Sequence, residues 1–146
     1  MKNKKGFTLV ELLAVIVILG ILLLIAVPAV QNIIASSRKK AFESAAKLAL
    51  QNVESVASIE TTTGTGSITA CNIKLSEIKL ERGEFGAGAS GYIAVSAAGK
   101  ATIYYTNDYY TVAGGQLPNI SAVQTKRGTG GNVQADKDTT CTWYQG

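Results

Sequence analysis

Histidine is absent from the 146 residues, and cysteine and proline occur only twice each. A structural zinc site normally takes four Cys or His ligands, so two cysteines exclude one. An arrangement that uses histidine for proton transfer or to activate a nucleophile is excluded as well. These absences make an enzyme a poor explanation of the chain, and we expect no catalytic residue, cofactor or metal.

Charge is also scarce, and its distribution is uneven. Three of the 14 basic residues, Lys2, Lys4 and Lys5, precede Gly6, and the remaining 11 nearly balance the 10 acidic residues. The net charge of +4 therefore says little about nucleic acid. A lysine cluster before an apolar segment instead indicates the end of a membrane helix that stays on the cytoplasmic side.

The 24 residues from Phe7 to Val30 are almost all apolar, with Thr8 and Glu11 as the polar exceptions. A helix needs about 20 apolar residues to cross a bilayer, so this segment is long enough to span one. A secretory signal is an alternative, because Val27-Pro28-Ala29 is compatible with a small-residue cleavage site. However, the apolar run is long for such a signal, and the helical pattern continues after it.

Glu11 is the only acid in this segment, and a charge at the centre of a membrane helix costs roughly 2.5–3.5 kcal/mol. One explanation is local: Thr8 and Glu11 have the spacing of a capping box, in which the two side chains satisfy N–H groups of the first helical turn. The helix dipole favours an acid there too. The other explanation is a partner of opposite charge.

The segment Lys4-Lys5-Gly6-Phe7-Thr8-Leu9-Val10-Glu11 resembles the cleavage motif of type IV prepilins and the related type II pseudopilins. In that family a membrane peptidase cuts after the glycine of a short basic leader and methylates the new first residue. Gly6, Phe7 and Glu11 stand at the positions of the glycine, the methylated residue and the family's glutamate. The stretches VELLAVIVIL and AVPAV are more similar to Gram-positive, clostridial-type pilins than to proteobacterial ones.

The resemblance, which covers about residues 1–55, implies a domain plan. Residues 1–6 would be the leader, residues 7–30 the membrane and filament-core half of a long helix, and residues 31–146 a globular head. The amine of Phe7 would pair with Glu11 of a neighbouring subunit. Gly20 and Pro28 would allow the helix to break in the filament.

The resemblance also implies a structural function. The chain would be a single-pass protein of the cytoplasmic membrane with its head outside, later polymerised into an extracellular helical fibre for adhesion, motility or aggregation. Its partners would be membrane lipid, sister pilins, a prepilin peptidase, an assembly ATPase and a membrane platform protein, with a host surface or DNA as further targets. Two alternatives are a pseudopilin of a secretion or DNA-uptake machine and a secreted or anchored binding domain with an ordinary signal.

The residues after Val30 predict an α+β head, in which a helix over residues 31–58 packs on a small antiparallel sheet, as in the type IV pilin fold. An i,i+4 ion pair is expected between Glu43 and Lys47. Apolar residues recur on one side of the helix at three- and four-residue steps: Phe42, Ala45, Ala46, Ala49, Val53 and Val56. The opposite side carries Lys39, Lys40, Glu43, Lys47, Gln51 and Glu54.

Turn-forming residues predict that the helix ends before Thr61 and that a loop over residues 59–91 follows, with a short turn or strand at Ile73–Leu80. Residues 92–146 would then form the sheet and the C-terminal region. Alternating patterns separated by turns predict three main strands and two short ones: Tyr92–Ser96, Ala101–Thr106, Tyr109–Ala113, Ile120–Val123 and Thr139–Tyr144.

Cys71 and Cys141 are expected to form a disulfide, because so small a head buries only about 60% of its unfolded surface and extracellular exposure favours the bond. Such a long loop would contribute roughly 4 kcal/mol. The alternative is two free buried thiols.

Aromatic residues cluster on the predicted strands. Strands favour aromatics for packing alone. The alternative is a platform that stacks the bases of single-stranded DNA, aided by Lys126 and Arg127. The aromatic residues in question are Tyr104, Tyr105, Tyr109, Tyr110, Trp143 and Tyr144.

Overall fold

The structure is a computed structural model that describes residues 6–64, 68–125 and 140–144. Contacts divide the chain into two units, Met1–Arg38 and Lys39–Gly146, and each is considered by itself. One helix, α1, runs from Leu9 to Thr63 and contributes to both units.

In the first unit, α1 continues through Gly20 and Pro28 without interruption. Proline removes one backbone donor from a helix interior, yet membrane helices tolerate it. The helix is long and apolar enough to cross a membrane, judged by length and composition alone. A break at Gly20 and Pro28 in the filament stays a prediction.

In the second unit, the apolar face of α1 is largely as predicted. Two residues on that face, Leu50 and Ala57, were not foreseen, whereas Val56 was predicted to be buried and is only half-buried. The buried positions follow steps of three and four residues, which place Val56 at the margin of the stripe. The buried helical residues are Phe42, Ala45, Ala46, Ala49, Leu50, Val53 and Ala57.

The predicted end of the helix near Ser58 is wrong by about one turn. The hydroxyls of Thr61 and Thr62 donate to the carbonyl oxygen of Ser58, at 2.9 and 2.8 Å, and the hydroxyl of Thr63 donates to that of Ile59 at 2.8 Å. Threonine side chains can bond to carbonyls of the preceding turn, so the residues that were predicted to form a loop remain helical.

The sheet has five antiparallel strands that neighbour one another in chain order. The short helical turn or strand predicted at Ile73–Leu80 corresponds to the end of β1 and the 3-10 turn after it, although β1 begins earlier, at Cys71. The sequence pattern predicted β3 with its observed bounds. The long N-terminal helix and small antiparallel sheet confirm the predicted α+β class. The strands are β1 (Cys71–Lys74), β2 (Ser90–Val95), β3 (Ala101–Thr106), β4 (Tyr110–Gly115) and β5 (Val123–Gln124). A 3-10 turn at Leu75–Glu77 follows β1.

The core lies between the apolar face of α1 and one face of the sheet. The ring of Phe42 stacks on that of Tyr105 with centroids 4.1 Å apart. In each of the three main predicted strands, two apolar residues lie on the inward face and are buried: Ile93 and Val95, Ile103 and Tyr105, Tyr110 and Val112.

Several strand boundaries differ from the prediction: β2 is Ser90–Val95 rather than Tyr92–Ser96, and β4 is Tyr110–Gly115 rather than Tyr109–Ala113. β4 begins at Tyr110 because the side-chain oxygen of Asn107 accepts the N–H groups of Tyr109 and Tyr110, which closes the turn. The strand predicted at Ile120–Val123 is instead Val123–Gln124, since Ile120 and Ala122 turn into the core.

The strand predicted at Thr139–Tyr144 is also wrong for its described part. Thr140 forms an isolated parallel bridge with Asn72 rather than a ladder. Thr139 lies outside the described residues.

Candidate assembly site at the N-terminus

Thr8 and Glu11 form the capping box that their spacing indicated. Both the backbone N–H and the hydroxyl of Thr8 donate to Oε2 of Glu11, each at 2.8 Å. In return, the N–H of Glu11 approaches the hydroxyl oxygen of Thr8 at 3.3 Å. The first turn of α1 therefore satisfies two of its own N–H groups, and this cap uses one of the two carboxylate oxygens.

The junction between Gly6 and Phe7 precedes α1 and is exposed. The Phe7 side chain is 89% exposed, and a Cβ placed on Gly6 would meet no atom within 4 Å. The described residues thus give no packing reason for a glycine at position 6, and both residues of the junction are accessible to solvent.

Between Leu12 and Val30, apolar side chains cover α1 on every side. The large hydrophobic residues from Phe7 to Ile34 are 45–89% exposed. Soluble monomers rarely expose so continuous an apolar surface, which marks a membrane or a protein interface. This surface therefore needs lipid or other chains around it.

In the head, carboxylates of α1 bond to backbone groups of the sheet region. Oε1 of Glu54 accepts the N–H of Ala101 at 3.1 Å, and Oε1 of Glu43 accepts the N–H of Ala122 at 3.1 Å. Glu43 also lies 3.9 Å from the ammonium of Lys39, whereas the pair predicted with Lys47 is not formed among the described residues. Both glutamates were assigned to solvent from the sequence.

A usable sequence signal for these glutamates existed. Glu43 and Glu54 are eleven residues apart, which places them on the same side of a helix, at the edge of the apolar stripe. Carboxylates at such an edge are within reach of unpaired N–H groups at the ends of strands.

The disulfide between Cys71 and Cys141 is present, as predicted, and both cysteines are buried. It joins β1 to the C-terminal region across a sequence separation of 70. Beside it, the hydroxyl of Tyr144 donates to Oδ1 of Asn52 on α1 at 2.8 Å. Burial raises the pKa of Tyr144 above its ordinary value.

The aromatic residues do not form one surface. Tyr105 and Tyr110 lie in the core, and the hydroxyl of Tyr105 donates to the carbonyl oxygen of Phe85. Burial raises the pKa of Tyr105, against a smaller opposing effect of a hydrogen bond with Asn107. Packing therefore explains the buried members of the group. Lys126 and Arg127, proposed as aids to DNA binding, lie outside the described residues.

Comparison with known proteins identifies one feature. Residues 1–27 match the family model of the prokaryotic N-terminal methylation motif. No curated protein and no solved structure gives a significant match to the chain. The methylation motif, the long N-terminal helix and the five-stranded antiparallel sheet together fit a type IV pilin or pseudopilin.

Proposed function

We propose that the chain is the precursor of a pilus subunit, cut after Gly6, methylated on the amine of Phe7 and polymerised into a helical surface fibre. The match of residues 1–27 to the methylation motif carries this proposal. The domain plan follows from it, with residues 1–6 as leader, 7–30 as anchor and later filament core, and 31–146 as head.

The exposed apolar surface of the first unit supports the two states that this function requires. Before assembly, lipid would cover the side chains from Phe7 to Ile34, and the basic leader would hold the N-terminus on the cytoplasmic side. In the fibre, the same side chains would be covered by the helices of neighbouring copies. A surface that is apolar on all sides suits both environments.

Glu11 has a role in each state. In the precursor, the two bonds from Thr8 reduce the cost of holding a carboxylate near lipid. Cleavage creates a positive amine on Phe7, which needs a counter-charge when it enters the fibre. Because the cap uses only Oε2, the other oxygen can accept the amine of a neighbouring subunit, so the cap and the assembly role are compatible.

The partners follow from the same proposal. A prepilin peptidase would remove the leader, and an assembly ATPase with its membrane platform would drive polymerisation with sister pilins. Adhesion, motility or aggregation would be the functions of the fibre. Because pseudopilins share the motif, a subunit of a short secretion or DNA-uptake fibre is the second candidate.

Gly6→Leu tests the proposal at its first step. A leucine before the scissile bond should not fit a peptidase site built for glycine, so we expect full-length precursor in the membrane and no fibres. An immunoblot of membranes and sheared fibres measures both.

The matched control is Gly20→Leu, the same change at a second glycine with no atom within 4 Å of its Cβ. It should be processed normally. Mature-sized Gly6→Leu protein with wild-type fibre yield would overturn the proposed processing.

A further inference from the structure

Residues 140–144, here called the C-terminal strap, lie against the open edge of β1 and the head portion of α1. The N–H of Cys141 donates to the carbonyl oxygen of Asn72 at 3.2 Å, and Tyr144 bonds to Asn52 as described above. The rings of Trp143 and Tyr144 pack edge to face on the margin of the core. The strap thus covers backbone groups that an edge strand otherwise presents to solvent.

Few backbone hydrogen bonds attach the strap to β1. Its described residues pair with β1 through one isolated bridge, whereas β1 and β2 pair at four positions. The indole N–H of Trp143 is buried and has no hydrogen-bond partner among the described residues. A buried donor without a partner opposes the docking of the residue that carries it. The Cys71–Cys141 bond is the one covalent link that offsets this weakness.

Most of the core lies outside the strap, which contributes Cys141 to it. The stack of Phe42 on Tyr105 and the six paired positions of β2 and β3 are formed by residues outside it. The carboxylate bonds from Glu43 and Glu54 also join α1 to the sheet region independently of the strap. These contacts between the helix and the sheet do not involve the strap.

We infer that the C-terminal strap is a thiol-controlled cover. With the disulfide intact, the strap hides the edge of β1 and the side chain of Asn52. When the disulfide is reduced, the strap leaves while the helix and sheet stay folded, and the carbonyl oxygen of Asn72 and the side chain of Asn52 become exposed to solvent. This inference goes beyond the proposed function and does not rest on it.

The chemistry requires a dithiol reductant. One thiolate of the reductant attacks a sulfur of the disulfide, and the other cysteine leaves and takes up a proton. The second thiol of the reductant then displaces the first cysteine, which also ends as a thiol. The reductant is oxidised to a cyclic disulfide, and Cys71 and Cys141 are reduced to two thiols.

Trp143 is the only tryptophan of the chain, so its fluorescence reports the strap alone. The full chain in detergent is compared before and after treatment with dithiothreitol, with alkylation and mass measurement to prove that both thiols are free. We expect the Trp143 emission to shift to longer wavelength on reduction. Amide exchange should rise about tenfold or more at Cys141, whose N–H loses its bond to Asn72, and stay unchanged in Ser90–Thr106.

The matched control is the double variant Cys71→Ser with Cys141→Ser. Without reductant it should show the emission and exchange of the reduced wild type, and dithiothreitol should change neither. Unchanged emission in fully reduced wild type would overturn the inference, because the strap would be held without the disulfide. Faster exchange in Ser90–Thr106 together with Cys141 would overturn it too, because the whole head would then depend on the bond.

Discussion

The carboxylate of Glu11 accepts two hydrogen bonds from Thr8, and both end on the same oxygen. Sequence reasoning left two explanations for this residue, a helix cap and a counter-charge. The structure confirms the cap, and the counter-charge stays a proposal. A cap alone would stabilise only the first turn of one subunit, by about 0.5–2 kcal/mol.

Glu11→Val separates the two explanations. The change makes the anchor more apolar and leaves Gly6 intact, so insertion and processing should continue. The amine of Phe7 would then enter the fibre without a counter-charge, at a cost of several kcal/mol for each subunit. We expect mature-sized protein in the membrane and few or no surface fibres, as measured by membrane immunoblot and electron microscopy of sheared fibres.

Thr8→Val is the control for this experiment, because it removes the side-chain half of the capping box and retains the carboxylate. Its fibre yield should stay near that of the wild type. Abundant fibres from Glu11→Val cells would contradict the counter-charge, and equal losses from both variants would favour the cap as the sole role.

The raised pKa of Tyr105 predicts how the stability of the folded head depends on pH. Its burial raises the pKa in the folded head above the ordinary value of 10. Above about pH 10 the unfolded chain loses the phenolic proton while the folded head retains it, so the unfolded chain binds fewer protons. The free energy of unfolding should therefore be unaffected by this group below pH 10 and fall above it, by at most about 1.4 kcal/mol per pH unit.

Denaturant titrations of the full chain in detergent between pH 8 and pH 12 measure this dependence. Tyr105→Phe should be less stable at pH 8 by about 0.5–1.5 kcal/mol, because the bond to Phe85 is lost, and should decline less steeply above pH 10. Tyr144 contributes in the same direction in both proteins. Equal slopes for wild type and variant would refute the effect of Tyr105.

Among the elements of the fold, those in which apolar residues recur with a clear period were predicted best from the sequence. α1 and β3 each bury one face, and the spacing of apolar residues in their sequences indicates which face that is. Between Ile73 and Leu80 the pattern left a helical turn and a strand open, because β1 is only four residues long and is followed at once by a 3-10 turn. The end of α1 was placed too early because Thr61, Thr62 and Thr63 favour loops by composition, yet here bond to helical carbonyls.

The sequence carried a signal for the edge position of Glu43 and Glu54 on α1, but it did not contain which backbone N–H groups they bind. Glu54 and Ala101 are 47 positions apart and Glu43 and Ala122 are 79 apart. Such a pairing depends on how helix and strands are superposed, which no local pattern contains. The cysteine pair was predictable because only two cysteines exist.

The disulfide joins two of these elements, β1 and the C-terminal strap, and its removal has a measurable cost. Cys71→Ser with Cys141→Ser should lower the free energy of unfolding by about 2–4 kcal/mol, since the unfolded chain loses a long closed loop. Thermal unfolding and limited proteolysis of the full chain measure this. Alkylation of both cysteines in native protein without prior reduction would contradict the bond itself, and an unchanged melting temperature would contradict its stabilising role.

For the molecule as a whole, the functional argument rests on its first residues. Residues 1–27 carry the methylation motif, and on the proposed function they must suit a peptidase, a bilayer and neighbouring copies at once. Few residue patterns satisfy all three, which is why the N-terminal site could be predicted from sequence. A head core accepts many apolar combinations of suitable volume, so its sequence predicts the α+β class without indicating what the head binds.

The identity of the first residue of the mature chain tests the central claim most directly. Mass spectrometry of the N-terminal peptide from membranes and sheared fibres reads it in one experiment. The proposed function predicts a chain that begins at Phe7 and carries one added methyl group on its amine. A mature chain that begins at Val30 would show an ordinary secretory signal and contradict the proposal, as would fibres whose subunits still begin at Met1.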